Sequence, residues 1–214
     1  MTTTYPRTAV RTPTLVHCGL LAGPLYAGVA LAQGLTRTWF DLTRDDVSLL
    51  ANGGLGWLQI ANFLASGLLT VACAVGLRRL PQLRWGPILL GVYGVGLIAA
   101  GVFRADPSNG FPPGTAPGRN TQISWHGMLH LVSAGVGFLG LIAACFVFAS
   151  RFGALGHRTW AVYSRLTGIL FFAGFAAIAS GSTSRLVVLA FWVAVLLGWT
   201  WIALLATLGK GRIQ

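Results

Sequence analysis

The sequence predicts an all-α protein, a polytopic bundle of about six transmembrane helices, and three observations carry that prediction. Of 214 residues, 55% are hydrophobic and only 9% charged, whereas a soluble domain carries about 25% charge. Six apolar runs of near-spanning length recur along the chain. Those runs and their connections use almost all of it, because each crossing of a hydrocarbon core about 30 Å thick takes about 20 residues. The runs are continuous rather than alternating in polarity, which excludes the strand pattern of a membrane barrel.

An N-terminal tail, residues 1–13, leads into the first span, 14–35. Arg7 and Arg11 before it, and Ala30-Leu31-Ala32 near its end, also fit a cleavable signal peptide. The run is long for a signal core and contains Gly23-Pro24, so a retained helix is the preferred reading. Span 53–77 carries Gln59, Asn62, Ser66 and Thr70 at helical spacing, a polar face on an apolar segment that should look into the bundle. Spans 86–103 and 125–149 hold Gly91, Gly94 and Gly96, and Gly135, Gly137 and Gly140. In lipid, such small residues let helix backbones approach closely. The connection 104–124 between these spans has four prolines, which restrict its backbone. Spans 160–180 and 186–208 complete the bundle, and residues 209–214 form a C-terminal tail. Trp39, Trp57, Trp125 and Trp160 near span ends read as an interfacial aromatic belt. Cys18, Cys73 and Cys145 stand singly in apolar runs and read as small core residues.

The formal charge of +11 does not indicate nucleic acid. The fifteen cations are scattered singly or in pairs at helix ends, with no basic stripe. They follow topology instead. With a cytoplasmic N-terminus, the inner segments hold ten, Arg7, Arg11, Arg78, Arg79, Arg84, Arg151, Arg158, Arg165, Lys210 and Arg212. The outer segments hold five, Arg37, Arg44, Arg104, Arg119 and Arg185. The inner excess satisfies the positive-inside rule, so both tails are expected in the cytoplasm. All four acids, Asp41, Asp45, Asp46 and Asp106, then lie outside.

The outer connection 104–124 runs straight into Trp125-His126-Gly127-Met128-Leu129-His130. Imidazoles four residues apart share a helix face, the way a helix presents two nitrogens to one metal. With Asp106 as third ligand, and Asp45 or Asp46 as alternatives, they would make a His/His/Asp set of the kind that holds a catalytic zinc ion. The competing reading has one histidine hydrogen-bonding a neighbouring helix and the other in the headgroup zone. Arg44, Gln59, Asn62 and Arg104 are expected to complete an outward-facing polar pocket, with Gln59 and His130 each about 9 Å below the outer helix ends. Equally, the polar face of the second span can be interhelical glue. Asp45, Asp46 or Ser48 could cap the second helix and complement its dipole, and capping is expected of at least one of them. His17 and His157 lie toward the other side. No GxSxG elbow, P-loop or dinucleotide fingerprint is present, which removes the common soluble chemistries. Two functions therefore compete. One is a metal-dependent enzyme with His126, His130 and Asp106 as catalytic residues, acting on a lipid or other membrane-soluble substrate. The other is a non-catalytic protein that binds a lipid headgroup or a partner protein.

The stretches Ser48-Leu-Leu-Ala-Asn-Gly-Gly-Leu-Gly-Trp-Leu-Gln-Ile-Ala-Asn-Phe63, Phe103-Arg-Ala-Asp-Pro107 and His126-Gly-Met-Leu-His130 together resemble a family. It is the set of bacterial six-span membrane proteins catalogued as domain of unknown function number 998. The likeness runs from about Leu20 to Leu208. It implies a six-span helical fold in a bacterial cytoplasmic membrane and supplies no activity.

The charge bias makes the orientation testable. A cysteine at Ser108 should react with an impermeant thiol reagent in intact cells, and one at Gly153 should not. Labelling at Gly153 alone would reverse the topology.

Overall fold

In lipid a backbone amide finds no water, so an apolar segment that crosses must bond its own carbonyls as a helix. The computed structural model describes residues 12–80, 83–118, 122–182 and 184–208, and six of its helices are long and apolar enough to span a membrane. They are α1 (Thr12–Thr36), α2 (Gly56–Arg78), α3 (Trp85–Val102), α4 (Trp125–Ala154), α5 (Arg158–Ala179) and α6 (Arg185–Thr207). The expected fold class is therefore found, an all-helical bundle. Of the predicted tails only Thr12 and Pro13 fall within the described residues; Arg7, Arg11, Arg119, Lys210 and Arg212 lie outside them.

Each helix packs on its neighbours in the chain, and α6 returns to α1, so the six form a closed ring. Two seams rest on paired glycines. A Cβ on Gly67 of α2 would stand 2.7 Å from the Gly94 carbonyl of α3, and one on Gly96 of α3 would stand 2.7 Å from the Gly137 Cα of α4. Any side chain there would force the backbones apart, so these glycines set the interhelical spacing. Aromatic side chains fill the centre: Tyr26, Tyr93 and Trp199 meet at 5.1–5.5 Å, and Phe138 packs edge-on against Phe171, Phe175 and Phe191. Outward, exposed Leu131, Val132, Val136, Leu139, Ile169, Leu170 and Phe172 clothe α4 and α5 in hydrocarbon.

The first helix is integral to the ring. It packs against both α2 and α6, and Ala22 and Ala30 on it are fully buried. Pro24 lies inside it without ending it.

The second span starts later than the apolar run suggests. Val47–Ala51 forms a short 3-10 helix, and α2 begins at Gly56. This segment and the α3–α4 connection fold together over one end of the bundle, hereafter the capped face. Phe40, Leu49, Leu50 and Phe111 make a small apolar cluster there. The Arg37 guanidinium covers it, 4.7 Å from the Phe111 ring centre, and donates to the Leu50 and Asn52 carbonyls at 2.5 and 2.6 Å. The Asn52 amide in turn donates to the Ala105 carbonyl, joining the two connections. The opposite face carries Arg78, Arg79, Arg84, Arg151 and Arg158 at helix ends and is called the basic face.

The polar stripe of α2 is a buried ladder. Gln33 of α1 donates to the Gln59 side-chain oxygen at 3.0 Å; Asn62 donates to the same oxygen and to the Tyr26 carbonyl of α1 at 3.1 Å. Ser66 donates to Asn62, and Thr70 to the Ser66 carbonyl. These groups join α1 to α2 where no solvent can serve them. Gln59→Leu and Asn62→Leu should each lower stability in detergent by about 0.6–2 kcal/mol, the range of interhelical hydrogen bonds. Unchanged thermal unfolding in both variants would show that the ladder does not hold the seam.

Candidate functional site

A cavity of about 490 Å³ lies inside the ring near the capped face. Helix lengths explain it. Near the basic face α4 and α5 touch closely, and a Cβ on Gly168 would be 3.1 Å from Cys145. Toward the capped face their last aromatic contact pairs Phe138 with Phe175, ring centres 5.3 Å apart. Beyond Phe138, α4 continues through His130 to Trp125, thirteen residues or about 20 Å; beyond Phe175, α5 ends at Ala179, only four residues on, about 6 Å. The longer helix outruns its neighbour, and the space it leaves is the cavity.

Its walls are apolar, with Phe63, Leu97, Phe138, Phe191, Trp192 and Val195 among them. Tyr26 and Tyr93 line the deep end, near mid-span, and neither hydroxyl has a hydrogen-bond partner among the described residues. Asp45, Asp46, Ser48 and His130 supply polar groups at the capped end. Leu131, which is 56% exposed, and half-buried Ala134, Gly135 and Phe175 belong to the same lining. Along this edge the cavity meets the lipid-facing surface between α4 and α5. No lysine or arginine lines the cavity among the described residues.

The residues singled out from the sequence separate into two groups. His130 and Asp45 are at the cavity, and both are held. His130 is 4% exposed, and its Nδ1 lies 2.9 Å from the Ala100 carbonyl and 2.8 Å from that of Phe103. Two carbonyls can only accept, so Nδ1 carries a proton and donates to them. No described residue bonds Nε2. Asp45 is fully buried and takes both forks of Arg44 at 2.8 Å, together with the Asp41 amide. Beside it, the Thr43 hydroxyl and amide hold the Asp41 carboxyl below the usual carboxylate range. Asp46 precedes the 3-10 helix without a side-chain capping bond, so the expected cap of α2 is not formed there.

Asp106, His126, Arg104, Gln59 and Asn62 stand elsewhere. Asp106 does fold back to the mouth of α4, where both its oxygens are engaged by Ser124, from the amide at 2.8 Å and the hydroxyl at 2.5 Å. Ser124 caps α4 by accepting from the Gly127 amide, and a Cβ on Gly127 would collide with Asp106. The carboxylate thus complements the positive end of the helix. His126 is exposed and its ring stacks on Trp125 at 3.5 Å. Arg104 is exposed and outside the lining, and Gln59 and Asn62 belong to the α1–α2 ladder. Among the described residues no three histidine, cysteine or acidic side chains gather as a metal-binding group. The proposed His126, His130 and Asp106 set is therefore not brought together.

Sequence reasoning missed Tyr26, Tyr93 and Trp192. A signal was available, since these aromatics sit well inside their spans rather than at the interface, where amphipathic rings are usually found.

Comparison with curated proteins and with solved structures finds no match. From residue 20 to residue 208 the chain matches the sequence profile of a family described as protein of unknown function (DUF998). With a match over nearly the whole bundle, the cavity and its cap included, the chain belongs to that family.

Proposed function

We propose that this chain is a multi-pass protein of the cytoplasmic membrane, both ends cytoplasmic, that binds one membrane-soluble amphiphile in a pocket near the outer leaflet. The observation that carries the reading is the cavity itself. Its volume falls within the range of about 300–1,000 Å³ typical of small-molecule sites, which are likewise apolar with a few converging polar groups. An apolar body lies against Phe138 and Phe191, and a polar head reaches His130 at the capped end. The edge along Leu131 and Gly135 gives such a molecule a path from the bilayer that never crosses water. The excess of cations in the inner segments supports the orientation.

Gly135 offers a clean test. A Cβ there meets only Phe175, at 3.7 Å, an ordinary contact, so a larger side chain fits the backbone while obstructing the opening. Native mass spectrometry of protein in mild detergent should show one bound amphiphile per chain. Gly135→Phe should weaken that binding by about tenfold or more, equivalent to about 1.4 kcal/mol, with thermal unfolding little changed. Full retention of the amphiphile by the variant would place it outside the cavity and sink the proposal.

A further inference from the structure

The acidic side chains of this protein, Asp41, Asp45, Asp46 and Asp106, all belong to the capped-face connections, and none lies on the basic face. Arg78, Arg79, Arg84, Arg151 and Arg158 stand at or near helix ends on that face. Arg165 does not. It lies seven residues beyond Arg158 on α5, about 10 Å along the axis. Arg158, Val162, Arg165, Leu166 and Ile169 recur there at helical spacing and are all exposed, so Arg165 rises from a flank that faces hydrocarbon.

Its long stem carries the charge back out. A Cβ on Gly168 of α5 would stand 3.1 Å from Cys145 and 3.2 Å from Phe146 of α4. In this antiparallel pair Gly153 of α4 is therefore level with Trp160 or Ala161 of α5. A guanidinium nitrogen of Arg165 lies 3.9 Å from the position of a Cβ on Gly153. The head has thus turned toward the basic face, to within about 4 Å of the Arg158 backbone along the axis. Arg158 leaves the same flank, so one anionic group can take both side chains. Neither arginine has a hydrogen bond or ion pair with another described residue.

From this placement we infer that the outer groove between α4 and α5 at the basic face holds an anionic phospholipid, its phosphate taken by Arg165 and Arg158 and an acyl chain lying along Leu166 and Ile169. Guanidinium donors match phosphate oxygens as a fork. Charge selects the rest of the head: a choline would bring a third cation beside two, whereas a glycerol adds none. This groove is at the other end of the α4–α5 seam from the cavity edge at Leu131 and Gly135, so either site can fail without the other.

Native mass spectrometry of detergent-purified protein, titrated with dioleoylphosphatidylglycerol or dioleoylphosphatidylcholine, compares two heads on identical chains. The first phosphatidylglycerol should bind about tenfold more tightly than phosphatidylcholine, a difference of about 1.4 kcal/mol. Arg165→Gln and Arg158→Gln should each remove most of that preference, while Arg84→Gln at the start of α3 should leave it. The wild-type comparison needs no variant, so it stands even where a substitution disturbs folding. Equal wild-type affinity for the two lipids overturns the inference, as does a preference that survives in Arg165→Gln. An equal loss in Arg84→Gln also overturns it, because the preference would then belong to the whole basic face. Displacement of the lipid by glycerol 3-phosphate at comparable concentration would make the groove a site for free phosphate and end the lipid assignment.

Discussion

Hydrocarbon offers a polar group no partner, and the rest of this structure follows from that constraint. Inside the spans the backbone satisfies itself as helix; the exposed cost is at helix ends, where four amides and four carbonyls lack intrahelical partners. At the capped face these ends are met one by one. His130 takes the Ala100 and Phe103 carbonyls at the end of α3. Arg37 takes the Leu50 and Asn52 carbonyls at the end of the 3-10 helix. Ser124, fixed by Asp106, caps the start of α4. The side chains that look most reactive in the sequence are largely the ones that close these ends.

This division also explains what was legible. Six spans could be read because a crossing demands some 20 apolar residues and leaves little ambiguity about their conformation. Gly94, Gly96 and Gly137 could be read as packing positions because lipid gives helices no hydrophobic reason to associate, so close approach must be built in. The alternatives left open for Gln59 and Asn62 could not be resolved from spacing. Spacing puts a residue on the inner face of α2, and only the neighbour's identity tells whether it meets Gln33 or an empty space. For His126 and His130 the four-residue interval was correct as geometry, yet a turn of helix carries one ring under the end of α3 and leaves the other against Trp125.

The cavity was illegible for a different reason. It is a difference between helix lengths, and periodicity does not report where a helix loses its neighbour. The capped-face ends, Trp125 of α4 and Ala179 of α5, agree with the predicted spans to within a residue; what the spacing does not tell is that Phe138 stands level with Phe175, which leaves α4 to run on past the end of α5. A ring of helices with unequal reach must tilt, fill the space with loop, or leave a void. Here the Asp45–Ser48 segment closes the top, and the side toward Leu131 remains lined only by apolar edges.

A bundle designed for stability alone would fill that void, since an empty apolar space costs the contacts its lining would otherwise make. Nor would it leave polar atoms half-satisfied, because in a dry interior each such atom costs as much as a lost hydrogen bond. The void lies in one place, while among the described residues the buried polar atoms without a partner are spread over the ladder, at the Gln33 oxygen and the Gln59 nitrogen, and the indoles of Trp192 and Trp199. The ladder of α2 joins side-chain amides across a seam, with the Gln33 oxygen and the Gln59 nitrogen left without a partner among the described residues, and the capped face shows that this sequence can close helix ends. Against that background Tyr26, Tyr93 and His130 bring polar groups to the lining of one cavity. A single bound molecule with an apolar body would fill that void and meet its polar rim.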